Sequence, residues 1–247
     1  MKNRLLKSTP SFPQPLLHFK EIIPCQIRFR ENRFVVQVEI KGKQFRAHLN
    51  NTGQLREFLT PGKLAFCLKR TKPGKTSHQL IAVEDKNKGA LIDTQLQMKS
   101  FEAALQKGFI TWLPGYRLIK RNIRLGNSLI DYCLGSALGE VYLEIKSAVL
   151  RQKENALYPD CPSLRGQRHL QELISLAENS RRAIVLFIAA LPEVKAFRPN
   201  QKADFRLFQI LTQAQAAGVE LRAMRLFLEP TQGTIVLDNP DLRVILT

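Results

Sequence analysis

Eight consecutive apolar residues, Ala183–Ala190, limit the fold of this chain more than any other feature. A run so short and so uniformly apolar reads as a strand buried on both faces, which requires layers of structure above and below it. The flanking segments supply those layers. One helix is expected over Leu164–Glu178 behind Ser163 as N-cap, and another from about Lys202 to Ala217, stopped at Gly218. An earlier helix, capped by Asp93 or Thr94, runs to Lys107, with Gly108 in the terminating position. Strand patterns fall at Tyr116–Leu125, Ser128–Leu134, Val141–Val149 and Val219–Leu226. Residues 91–247 therefore read as an α+β or α/β domain, a mixed sheet flanked by helices.

Residues 1–90 are built differently. The proline-rich opening, Ser8 to Pro15, reads as an arm rather than a packed element. Five short strand-like runs follow, at Ile22–Arg30, Arg33–Ile40, Lys43–Leu49, Lys63–Arg70 and His78–Glu84. Turn signals separate them: Glu31-Asn32, Lys41-Gly42, Asn51-Thr52-Gly53, Pro61-Gly62 and Pro73-Gly74. In the second run Phe34, Val36, Val38 and Ile40 alternate onto one side. Five short strands with tight turns predict a small barrel of the OB type, although an SH3-like barrel would give much the same pattern.

Charge narrows the class of partner. The formal net charge is +17, which predicts attraction to nucleic acid, an anionic membrane surface or a phosphorylated ligand. Residues 1–90 hold 18 Lys and Arg against 6 Asp and Glu, so the first third is the expected polyanion-binding surface. There Arg28, Arg30, Arg33, Lys41, Lys43 and Arg46 interleave with Phe29, Phe34 and Phe45. Such a pattern suits a groove that tracks phosphates and stacks bases. Alternatively, most of the phenylalanines fill the barrel and the cations stand in solvent, still open to phosphates. Arg165 and Arg168 share a helical face near a helix start, as a phosphate clamp or a solvated surface.

Other classes find no support. Cys25, Cys67, Cys133 and Cys161 show no CxxC pair and no histidines at ligand spacing, so a structural zinc site is not expected. The first three lie in apolar runs, as core cysteines do. No apolar stretch approaches a membrane span, and Met1–Lys7 lacks a signal core, so a cytoplasmic protein is expected. No phosphate-binding glycine loop, dinucleotide fingerprint or hydrolase elbow occurs.

The stretch Ser128–Lys146 carries the chemistry. Two strand-like runs flank Gly135-Ser136-Ala137-Leu138-Gly139-Glu140. Folded symmetrically about that loop, the hairpin pairs residues whose numbers sum to 275. Asp131 then lies opposite Glu144 on one face, with Lys146 two residues further along that face. Like charges in that relation call for compensation, and a divalent cation such as Mg²⁺ or Mn²⁺ provides it. In phosphodiester cleavage such an ion activates water, and an adjacent lysine positions water or neutralises developing charge. A plain ion pair between Glu144 and Lys146, with Asp131 ending a strand in water, would fit the same residues. His169, on the helix beyond, fits a packing role or proton transfer.

The motifs around this hairpin resemble a known family. Glu144-Ile145-Lys146-Ser147, Tyr158-Pro159-Asp160 and Arg165-Gly166-Gln167-Arg168-His169-Leu170-Gln171-Glu172-Leu173 are similar to blocks of the sugar fermentation stimulation protein A family. Asn51-Thr52-Gly53, Arg182–Ala190 and Phe197-Arg198-Pro199 with Asp204 extend the likeness over most of the chain. The resemblance implies an OB-like domain over residues 1–90 joined to a PD-(D/E)XK nuclease-like domain over 91–247. It further implies a DNA-binding protein in which Asp131 and Glu144 are the metal carboxylates and Lys146 the motif lysine. Asn122 and Leu129 depart from the family pattern, where a glutamate and an arginine are usual, and Leu164 replaces an acidic residue. The leading expectation is a DNA-binding protein with a nuclease-like centre, degenerate if these departures abolish catalysis. The alternatives are a working Mg²⁺- or Mn²⁺-dependent endonuclease or an RNA-binding OB protein.

Overall fold

The structure, a computed structural model, describes residues 11–71 and 74–246. Met1–Pro10 of the opening and Pro73 of the Pro73-Gly74 turn lie outside the described residues. The chain begins with β1 (Gln14–His18), then β2 (Ile23–Asn32), β3 (Val35–Ile40), β4 (Lys43–Leu49), β5 (Leu64–Lys69) and β6 (His78–Asp85). Strands β2 to β6 pair in the order β2-β3-β4-β6-β5, and β5 returns to β2. Every step is antiparallel except β4–β6. This closed five-strand circuit is the OB barrel and sets the SH3-like alternative aside. Its wall turns Ile27, Val36, Val38, Ala47, Leu49 and Leu80 inward, all fully buried. Cys25 and Cys67 are core residues as expected, their Sγ atoms 3.4 Å apart.

Two expectations for this region need correction. Phe34 does not share the buried side of Val36 and Val38: Arg33-Phe34 forms the turn before β3, and the ring is 48% exposed. Phe29 is likewise 53% exposed, because an irregularity in β2 between Ile27 and Phe29 breaks the alternation. The opening segment is also more than an arm. From Gln14 it forms β1, which pairs antiparallel with the last strand of the chain.

The remaining elements are β7 (Lys88–Leu91), α1 (Thr94–Gln106), β8 (Arg117–Leu125), β9 (Ser128–Ser136), β10 (Gly139–Ala148), β11 (Leu150–Gln152) and β12 (Asn155–Tyr158). They continue as α2 (Leu164–Glu178), β13 (Arg182–Ala189), β14 (Ala196–Pro199), α3 (Phe205–Ala216), β15 (Glu220–Glu229) and β16 (Thr234–Val244). Strand β7 folds back on β6 and also touches β15, through Gly89 opposite Leu228, so it joins the barrel to the second sheet. That sheet is mixed: β8, β9 and β10 are antiparallel, β10, β13 and β15 are parallel, and β16 runs antiparallel to β15.

Strand β13 lies in the middle, buried from Ala183 to Ala189 as its composition demands. Helix α1 covers one face, where Phe101 meets Tyr132 at 5.3 Å between ring centroids. Helices α2 and α3 cover the other, burying Leu170, Leu173, Leu207, Ile210 and Leu211. Helix α3 starts three residues later than expected because Asp204 is its cap, accepting from the Leu207 amide. The same carboxylate accepts from the Ser163 amide and from Gln167, which fixes the start of α2 against the start of α3. Successive residues of β9 point to opposite faces, so Asp131, next to Tyr132, turns toward α2.

Candidate metal and nucleic-acid site

The β9–β10 ladder follows the expected register from Ser136 opposite Gly139 to Tyr132 opposite Leu143. There the strands part, and side chains replace the next pair of main-chain bonds. The Asp131 amide donates to Glu144 Oε2 at 3.1 Å, and the Ile145 amide donates to Asp131 Oδ2 at 2.8 Å. The two carboxylates are thus brought together by the hairpin itself. Burial and the neighbouring Glu144 charge push the Asp131 carboxyl up to about 7, despite opposing contributions from the Ile145 amide, Lys146 and Arg165. Asp131 Oδ1 takes no hydrogen bond from the described residues.

Glu144, Lys146 and His169 are 3%, 8% and 4% exposed, so none of them is a solvated surface group. Lys146 Nζ donates to Glu144 Oε1 at 2.7 Å, and His169 Nδ1 lies 2.5 Å from the same oxygen. Burial opposes the charge on Glu144, but Lys146 and His169 outweigh it and hold the carboxyl below its usual range. Lys146 is raised above its usual value, since Glu144 beside it outweighs the burial. Arg165 Nε donates to His169 Nε2 at 3.3 Å. Arginine has only donors to offer, so Nε2 accepts and the ring proton sits on Nδ1, facing Glu144. His169 is therefore part of the centre. Its spacing of four from Arg165 on one helix was the available sign of that contact.

The centre adjoins a cleft of about 390 Å³ between barrel and sheet, lined among others by Arg33, Phe34, Ser147, Tyr158 and Arg165. Burial pushes the Tyr158 phenol up, against the pull of Lys146. Two motif glycines make this region possible. A Cβ on Gly166 would stand 2.7 Å from the Tyr158 hydroxyl, and one on Gly53 would stand 2.6 Å from Asp160 Oδ2. Asp160 Oδ2 accepts from the Leu55 amide, so the Asn51-Thr52-Gly53 turn is docked on the segment that leads into α2.

The candidate phosphate-binding cations have different fates. Arg30 spends all five donors on main-chain carbonyls, those of Asn32, Gly53, Gln54, Arg33 and Asn51. Arg46 pairs with Glu31 at 2.6 Å and Arg28 with Glu39 at 3.7 Å. Arg33, Lys43 and Arg168 are exposed, and their side chains meet no hydrogen-bond or ion-pair partner among the described residues. Arg165 borders both cleft and carboxylates. It brings a cation to Asp131 from α2, whereas Leu129, 47% exposed, lies opposite Arg124 on β8. Asn122 is exposed on β8 at φ 54°. No helix among the described residues is long and apolar enough to cross a membrane.

Comparison with known proteins agrees with this architecture. The family model for the sugar fermentation stimulation protein RE domain matches residues 95–232, and that for the SfsA N-terminal OB domain matches residues 29–92. The sugar fermentation stimulation protein homolog of Pyrococcus furiosus is 47% identical over 214 residues, 87% of this chain and 93% of that one. The homolog of Archaeoglobus fulgidus is 43% identical over 231 residues, 94% and 99% of the two chains. The structure of Pyrococcus furiosus SfsA in complex with Ca²⁺ matches with a TM-score of 0.91 at 44% identity, covering 94% of this chain and 99% of that one. From its OB barrel to its helix-flanked mixed sheet, the chain belongs to the sugar fermentation stimulation protein family.

Proposed function

We propose that this protein binds DNA and cuts its phosphodiester backbone at the Asp131–Glu144–Lys146 centre, with Mg²⁺ or Mn²⁺ as cofactor. The observation that carries the reading is the Asp131 carboxyl: raised to about 7 beside Glu144, it keeps one oxygen without a protein partner. A divalent cation between Asp131 and Glu144 would answer both features. Among the described residues no three His, Cys, Asp or Glu side chains gather to hold a metal. Two carboxylates with water and phosphate oxygens suffice for Mg²⁺, which keeps several waters and favours substrate phosphates. The Pyrococcus furiosus relative was solved with Ca²⁺, a cation of the same oxygen-seeking kind. When bound, the ion would lower the pKa of a water and stabilise charge on the phosphate.

The chain's own residues divide the remaining work. Glu144 is kept ionised and in one orientation by Lys146 and His169. Lys146 holds a positive charge in a buried position next to the carboxylates, where it can neutralise charge developing on the phosphate. Arg165 orients the phosphate from the cleft side while its Nε fixes His169. A second reading, binding without cleavage, draws on Leu129 and Asn122, neither of which brings a polar side chain to the centre.

A supercoiled-plasmid nicking assay distinguishes the two. The wild-type protein should nick in Mn²⁺ or Mg²⁺ and not in EDTA, and Glu144→Gln should lose nicking by three orders of magnitude or so while retaining DNA affinity. Metal-independent nicking, or nicking that survives in Glu144→Gln, refutes the assignment; DNA binding with no nicking under any ion leaves the second reading standing.

A further inference from the structure

We infer that the cleft beside the centre receives an unpaired nucleotide, its base stacked on Phe34, so that the preferred substrate is a single DNA strand. The inference deepens the proposed function and rests on the reading of the protein as DNA-binding. Its first support is the composition of one turn. The β2–β3 hairpin closes with Arg33-Phe34, neither at the positive φ that would call for Asn-Gly or Asp-Gly, so the turn's backbone admits most residues, small polar ones included. Turn formation does not call for an arginine and a phenylalanine, and nearly half of Phe34 stays exposed.

The second support is rigidity. Asn32 Oδ1 accepts from the Phe34 amide at 2.9 Å, the Phe34 carbonyl accepts from the Leu49 amide at 2.8 Å, and Arg30 grips the Arg33 carbonyl. An exposed ring on a pinned backbone loses little freedom when a base stacks on it.

The third support is the geometry of the cleft. Its volume of about 390 Å³ falls at the small end of pockets that enclose one small ligand. One nucleotide fills such a space, and a duplex could not enter it without separating its strands. Phe34 and Arg33 stand on its barrel side, and Arg165 and Tyr158 on the side of the carboxylate centre. Arg33 and Arg165, both in its lining, would serve as the phosphate ligands. The one carboxylate in the lining, Asp160, is already engaged: it accepts from the Leu55 amide and lies beside Arg30. A strand threaded past Phe34 is thereby led toward Asp131 and Glu144.

The test uses the full-length protein in EDTA, so that cleavage does not interfere. Fluorescence anisotropy compares a labelled 12-nucleotide deoxy strand, its blunt duplex and the matching ribo strand. A 2-aminopurine version of the deoxy strand reports stacking. The single deoxy strand should bind tighter than the duplex, and Phe34→Ala should weaken it about tenfold while changing the duplex less than twofold. Phe34→Trp should restore affinity, and 2-aminopurine should be quenched by the wild type and not by Phe34→Ala. Equal binding of strand and duplex, or a Phe34→Ala protein that binds the strand as the wild type does, overturns the inference while leaving DNA binding intact. Preference for the ribo strand overturns the choice of DNA. Binding to no form at all sinks the underlying reading instead.

Discussion

Residues 1–90 carry a net charge of +12 and the rest of the chain only +5, yet the cations nearest the carboxylate centre come mostly from the second part. Of the six barrel cations named above, Arg28 and Arg46 face acidic neighbours and Arg30 is consumed by carbonyls, while Arg33, Lys41 and Lys43 meet no partner among the described residues. In the mixed sheet, Lys146 and Arg165 converge on Glu144 and its partner His169. The barrel's charge is spread over its surface as a field, whereas the sheet's two cations are held in contact, Lys146 buried against Glu144 and Arg165 at the cleft edge against His169. Counting charges along a sequence locates the first kind and misses the second.

The largest effect expected from this contrast is on stability. Glu144→Ala leaves Lys146 buried without its partner, at a cost of about 3–5 kcal/mol, whereas Arg46→Ala, at the exposed pair with Glu31, should leave the melting temperature unchanged. Thermal melts of the two variants side by side check this, and comparable losses would erase the distinction. Arg30→Met should cost roughly 2–4 kcal/mol, since five main-chain carbonyls lose a donor. Its salt dependence of DNA binding should change little. Arg33→Ala and Lys43→Ala should show the reverse: unchanged melting, with the log–log salt slope reduced by about 1 each.

A smaller effect follows from Asp131. Its folded value of about 7 lies above the usual 3.8, so the folded state holds the proton more tightly than the unfolded one. The stability this confers is complete below pH 4 and is lost as pH rises through 7. Metal-free Asp131→Asn should therefore melt near the wild type at pH 4 and above it at pH 8, by roughly 1–3 kcal/mol. A difference independent of pH would mean that Asp131 is not titrating there.

Much of this arrangement was legible in the sequence because it is local. The symmetric pairing about the Gly135–Glu140 loop holds to Tyr132 opposite Leu143, Ser163 caps α2 as expected, and of the two candidates Asp93 and Thr94 it is Asp93 that caps α1. Strand β16 escaped notice because Asp238, Asn239 and Pro240 interrupt its pattern; register shifts in β15 accommodate it, and its partners β1 and β14 are distant in sequence. Strand β1 was hidden by its prolines, being held by pairing with β16 rather than by local preference. The contact of His169 with Glu144 crosses from a helix to a strand, which periodicity cannot register. The exposure of Phe29 and Phe34 depends on a strand irregularity and a turn, and hydrophobicity alone places both rings inside.

Calorimetric titration of Mn²⁺ into the metal-free wild type and Asp131→Asn at pH 7 decides whether Asp131 and Glu144 form a cation site. One site is expected in the wild type, lost or weakened about tenfold or more in the variant. The wild-type heat should also vary with the ionisation enthalpy of the buffer, because the ion displaces a proton from a carboxyl raised to about 7. Equal Mn²⁺ binding by both proteins, or none by the wild type, would contradict a cation site at Asp131 and Glu144.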